Sequence, residues 1–159
     1  MRPALTARLL PLALCAALCA CVVVPLPQTD TGGEPARFLE NPSGAQLNAL
    51  RESRGLAPLS YSPVLQKVAQ GHADDMARMN EMTHTGSDGS TIGERIQRRG
   101  YNLRRGAENI AETGRGLGRA MEIWTNSPPH LSNMLMEDVK EYGIAGTGDY
   151  WVMVVARVK

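Results

Sequence analysis

Three short stretches of this chain carry side chains that can bind metal or move protons. Residues 82–89 (Met-Thr-His-Thr-Gly-Ser-Asp-Gly) bring His84, residues 106–111 (Gly-Ala-Glu-Asn-Ile-Ala) bring Glu108, and residues 127–133 (Ser-Pro-Pro-His-Leu-Ser-Asn) bring His130. Each breaks the helical pattern around it with turn-forming residues, so polar groups converge there. The expectation is that His84, Glu108 and His130 meet in one cleft. Two neutral imidazoles and one carboxylate suit Zn²⁺ or another divalent cation, with a fourth position left to water. The same groups suit acid–base chemistry, because histidine titrates near neutrality. The competing reading is a hydrogen-bonded polar core that fixes the loops.

Hydrolytic signatures are absent from the sequence. No His-Glu-x-x-His pair and no Gly-x-Ser-x-Gly elbow occurs. Ser87 and Ser132 lie near the histidines and read as loop caps, and Asn109 reads as a loop-fixing amide. His72 falls on an apolar helix face between Val68 and Met76, where a satisfied core histidine is the simpler assignment.

The elements that position these groups follow from periodicity. A first helix begins near Gly44 and stops at Gly55, and residues 56–61 form an extended connector. Ser62-Pro63 starts a second helix, apolar at Leu65, Val68, Ala69, Ala73, Met76 and Met79, that runs to about Asn80 and delivers the His84 loop. Ser90 caps a short helix stopped by Gly100, residues 117–125 form another, and Pro129 starts a single turn that carries His130. At the end, residues 142–145 and 150–158 flank a Gly-Thr-Gly-Asp turn. The run from Tyr150 to Ala156 is apolar throughout, which predicts a central strand with helices on both faces.

The chain has 159 residues, enough for one domain with a real core, and 43% hydrophobic against 21% charged residues is ordinary for a globular protein. Residues 1–21 read as a signal segment. Arg2 and Arg8 precede an apolar run over residues 9–20, and all three cysteines (Cys15, Cys19, Cys21) fall within it or at its end. Leu18-Cys19-Ala20-Cys21 resembles a bacterial lipoprotein signal, with Cys21 carrying the acyl chains (palmitate among them). That places the protein at the cell envelope, on the periplasmic face of the outer membrane in a Gram-negative cell. Residues 22–43, punctuated by Pro and Gly, read as a tether, and the folded domain spans 44–159. After Cys21 there remain fifteen basic and sixteen acidic residues, a balance that calls for no nucleic acid. The Arg-rich zone from Arg95 to Arg119 reads as a solvated face, with anionic lipid headgroups or a polyanion as the alternative.

Taken in order, the three stretches, the helix before the first and the Trp124-Thr125-Asn126 that leads into the third resemble the CAP superfamily. This is the cysteine-rich secretory, antigen 5 and pathogenesis-related group, also called the SCP domain, here in its bacterial form. The resemblance covers about residues 44–159. It implies an α+β fold, a three-layer α-β-α sandwich, and a large cleft in which His84, His130 and Glu108 correspond to the family's metal-capable set. Secretory members commonly carry a second glutamate three residues after the helix tryptophan. That position here is Ser127, so the resemblance implies a weaker or water-completed metal site. It also implies a lipid-like or cell-wall-derived ligand and a non-catalytic binding role. The alternatives are a metal-assisted hydrolase of peptide or envelope polymer and a purely structural protein.

Overall fold

The computed structural model describes residues 42–159; the signal segment with Cys21 and the tether up to residue 41 lie outside them. Pro42–Gly44 form a 3-10 turn that leads into α1, Ala45–Ser53. There follow β1 (Ser60–Tyr61), α2 (Pro63–Met79), α3 (Ile92–Arg98), β2 (Leu103–Glu112), α4 (Gly116–Thr125), α5 (Pro128–Met134), β3 (Glu141–Thr147) and β4 (Tyr150–Val158). The strands form one sheet in the order β1-β3-β4-β2, with β1 parallel to β3 and the other pairs antiparallel.

Central β4 explains its own unbroken apolar run. Alternate side chains of a strand point to opposite faces, and here both faces are covered. Tyr150, Val152, Val154 and Ala156 pack with Leu65, Val68, Ala73 and Met76 of α2 and Ile96 of α3. Met153 and Val155 pack with Leu47 of α1, Met121 and Trp124 of α4, and Met134 of α5. The result is the expected three-layer α-β-α sandwich. Thr147 pairs with Tyr150, so the hairpin turn is Gly148-Asp149, with Gly148 at a φ of +58°.

Helix α2 lies directly on β3. A Cβ added at Gly143 would stand 2.3 Å from the backbone of Leu65 and Gln66, so only glycine permits this approach. The Ser62 side chain makes no capping bond; its backbone N–H instead donates to Tyr142 O at 2.9 Å and ties the helix start to the sheet. At the other end Asn80 takes the left-handed conformation (φ 52°), and Glu81 N–H donates back to Met76 O at 3.2 Å. That closes the helix and turns the chain into the His84 loop.

Four expectations are corrected. The Glu108 stretch is not a loop but lies within the ten-residue β2, whose glycine and polar residues concealed it. Thr91, not Ser90, caps α3, through a reciprocal capping box with Glu94. Helix α5 is seven residues rather than one turn, and the connector before α2 supplies the short strand β1.

Candidate functional site

Strand β2 is an edge strand, and its register decides what each side chain faces. Glu108 pairs with Val154 and so points to the α2/α3 layer, whereas Asn109 pairs with Met153 and points to the α4/α5 layer. The Glu108 side chain is 2% exposed and both of its oxygens are engaged. Oε1 lies 2.9 Å from His84 Nδ1, and Oε2 accepts from Arg95 Nη2 at 2.8 Å. His72 Nε2 stands 3.7 Å from Oε1 and donates to Thr83 O at 2.9 Å.

The loop is shaped to present His84. Arg95 Nη1 donates to Ser90 O at 2.7 Å and to His84 O at 3.1 Å. Asp75, on α2, accepts from Ser87 N–H at 2.7 Å and from its hydroxyl at 2.6 Å. Gly86 is buried in the turn, where a Cβ would come within 2.5 Å of Ser90 Oγ. Because the carboxylate accepts the Nδ1 proton, His84 Nε2 is left with a lone pair.

His130 arrives from the other layer. Its carbonyl accepts from Asn109 Nδ2 at 3.0 Å, and Asn133 Nδ2 donates to Asn109 Oδ1 at 2.9 Å, so α5 is pinned to β2 by an amide pair. Asn109 is therefore the loop- and helix-fixing amide the sequence suggests. His130 titrates below its ordinary value, first because burial disfavours the imidazolium and then through repulsion by His84. His84 and Glu108 are thus in direct contact, whereas His130 is tied to β2 through its backbone carbonyl and meets His84 only electrostatically.

As a metal centre the trio fits only in part. Among the described residues no group of three or more His, Cys, Asp and Glu is arranged to hold an ion. Glu108 is moreover already engaged: a guanidinium, a permanent cation, bonds one oxygen and the ring of His84 the other. Glu108 stands behind His84 as an orienting acceptor, the place an outer-shell carboxylate takes in histidine metal sites. Sequence reasoning missed Arg95 and left His72 in the core. Arg95 is one turn into α3, and its phase follows from the Thr91–Glu94 box, which was the available signal.

A family model for the cysteine-rich secretory protein family, CAP, matches residues 45–154. This chain belongs to the CAP family. Its CAP domain is similar to part of the uncharacterized membrane protein YlbC of Bacillus subtilis (strain 168), 28% identical over 104 residues, which is 65% of this chain and 30% of that protein. Among solved structures it resembles an extracellular SCP-domain protein from Bacillus anthracis, with TM-score 0.69, 27% identity, and coverage of 78% of this chain and 44% of the other. An outer surface protein from Borrelia burgdorferi gives TM-score 0.65 and 26% identity, with 72% and 88% covered. The chain spans less than two thirds of the curated relatives it matches.

Burial makes the CAP domain acid-sensitive in a defined window. His72 is fully buried and titrates below 6.5, chiefly by desolvation, and His130 is shifted the same way. The unfolded chain then binds more protons than the folded one as pH falls below 6.5, so stability present above that value is lost on acidification. The expected result is a melting temperature that is flat above pH 6.5 and falls below it, before most carboxylates titrate. His72→Gln, which keeps a donor for Thr83 O, flattens the profile. An unchanged slope in that variant would assign the acid sensitivity elsewhere.

Proposed function

We propose that this protein is an envelope-anchored binding module, non-catalytic, whose cleft between the His84 loop and α5 takes a lipid-like or cell-wall-derived ligand. The observation that carries this reading is the burial and double engagement of Glu108: its carboxylate is bonded to Arg95 and His84 and only 2% exposed, so it is not presented to a substrate as a general base. Ser87 is bonded to Asp75 rather than to a histidine, which supports the same reading. The extracellular and outer-surface character of the similar proteins supports placement at the envelope, and the membrane anchor is Cys21. Several acyl chains on that residue hold firmly where a single chain is marginal. Cys21→Ala is expected to abolish lipidation and impair signal processing; lipid still attached in that variant would remove the anchor from this reading.

A divalent cation enters as a weak occupant of the two imidazoles, His84 and His130, with Glu108 as the acceptor behind His84. Both rings must be neutral to serve, so affinity falls with acid. The test is calorimetric titration of Zn²⁺ into wild type, His84→Ala and His130→Ala, run beside an assay for cleavage of peptidoglycan and peptide substrates. Weak binding lost in both variants, with no turnover, supports the proposal. Equal binding in all three puts the ion elsewhere, and zinc-dependent turnover lost in both variants replaces the binding role with hydrolysis.

A further inference from the structure

The two ends of the sheet differ in charge, and the strand register shows how. At the hairpin end stand Glu112, which pairs with Tyr150, Asp149 in the turn, and Asp74 of α2, which accepts from Thr147 Oγ1. Arg115 is the cation of the adjoining loop. At the far end Leu103 pairs with Val158 and Arg105 with Arg157, with Arg104 in the bulge between. Lys140 joins them, its N–H donating to Ala156 O at 2.9 Å. Arg105 and Arg157 stand directly opposite on one face, and like charges so placed destabilise a sheet.

Internal partners do not neutralise this cluster. Arg105 is 60% exposed and meets Asp138 at 3.4 Å, the range of a weak surface pair. Arg104 and Lys140 are exposed, Arg157 is half-buried, and among the described residues no ion pair holds any of the three. Of the nearby carboxylates, Asp138 is taken by Arg105 and Glu141 lies against Tyr101, which leaves Glu137. Positive charge remains in excess.

Two further features fall at the same end. Val158 closes β4 and is 47% exposed. A single exposed valine is ordinary, but this one is set among cations. The described chain also begins here: the Pro42–Gly44 turn lies against Tyr142, the second residue of β3, so closely that a Cβ on Gly44 would overlap the tyrosine hydroxyl. Only the twenty residues 22–41 separate that turn from Cys21. A lipid on Cys21 therefore delivers the basic end of the sheet, rather than the acidic hairpin end, to a bilayer.

We propose that this end of the sheet, with Arg104, Arg105, Lys140, Arg157 and Val158, docks on an anionic phospholipid surface. The contact rests on the Cys21 anchor for its delivery to the membrane, while its charge belongs to the folded domain. The cations meet lipid phosphates, Val158 enters the headgroup layer, and Asp149 at the other end of β4 points away from the negative surface. Cations near such a surface add binding that salt screens, and anchoring makes the contact intramolecular, so a few of them suffice.

The test places a fluorophore on the full chain through Val158→Cys or, at the opposite end of β4, Asp149→Cys, with Cys15 and Cys19 changed to serine. The protein is reconstituted in vesicles of phosphatidylcholine, alone or with an equal part of phosphatidylglycerol, doped with a headgroup-nitroxide lipid as quencher. Quenching at residue 158 is expected on the anionic vesicles and not on the neutral ones, and residue 149 stays unquenched on both. Arg104→Gln/Arg157→Gln is expected to lower the ratio of docked to undocked protein about thirtyfold, at about fivefold per cation. An unchanged circular dichroism melt confirms the fold of that variant. Salt at about 1 M, where the screening length is near 3 Å, is expected to release the chain without either substitution, so the result does not hang on the variant folding. Equal quenching at 158 and 149, quenching on neutral vesicles, or indifference to both salt and the double variant overturns the proposal. So does binding of soluble polyglutamate without docking on vesicles, which assigns the cluster to an acidic polymer. The anchor is read separately: lipidated Cys21 has no free thiol, so a second label per chain sinks the anchor, and docking is then read on Cys21→Ala added to the same vesicles.

Discussion

Replacing Glu108 by alanine is expected to cost about 3–5 kcal/mol of folding stability, the usual penalty for removing one partner of a buried ion pair. Arg95 is only 11% exposed, and in the variant its guanidinium keeps its burial while losing its carboxylate. His84 Nδ1 loses its acceptor as well, so the loop that begins at Thr83 loosens together with α3. Glu108→Gln keeps the shape and one acceptor and is expected to recover part of the loss. Urea unfolding of the three proteins measures both effects. A loss below about 1 kcal/mol in the alanine variant is the range of a solvent-exposed pair and would show that Arg95 escapes to water. The role of Glu108 would then be confined to His84.

Arg51→Ala is expected to be equally damaging, at about 3–5 kcal/mol, because charge-assisted bonds and buried volume are removed together. Arg51 is 1% exposed, and among the described residues no carboxylate pairs with it. It binds carbonyls instead: Nε donates to Ala57 O at 3.0 Å, and Nη1 to Met134 O at 2.8 Å and Met136 O at 2.9 Å. One side chain thus joins the end of α1, the connector to β1 and the end of α5. Burial lowers its pKa from the ordinary guanidinium value, yet the guanidinium stays charged because it has these acceptors. Arg51→Met separates the contributions. It keeps the stem volume and loses the bonds, so a loss close to that of alanine assigns the stability to hydrogen bonding. Since α5 carries His130, the same variant is expected to weaken Zn²⁺ binding by wild-type-like imidazoles without touching either one.

Much of this architecture was legible because its causes are local. The apolar run from Tyr150 to Ala156 could be buried only between two layers, Pro63 sets the start of α2, and the four-residue turn expected at 146–149 exists but is narrowed to Gly148-Asp149 because β3 extends to Thr147. The His84 loop was legible as a break in the helical pattern that follows α2. Strand β2 was not, since Gly106, Glu108 and Asn109 are poor strand formers whose conformation is imposed by pairing with β4. Trp124 is fully buried and donates to Ile110 O at 2.9 Å, whereas Trp151, in an equally apolar segment, is only partly buried on the α4/α5 side.

The sequence by itself determined the residue types at the site and the elements that deliver them, since helix phase, caps and turn chemistry act within a few residues. Tertiary structure alone decided the partners. The β2 register sends Glu108 to one layer and Asn109 to the other, and no local signal contains that choice. Arg51 and Arg95 look in sequence like surface cations, but each is buried against acceptors distant in the chain. A carboxylate reads as a ligand or a base until the fold fills its oxygens. Long-range pairing turned Glu108 into the acceptor that orients His84, because a buried charge is tolerated only where its partners are brought to it.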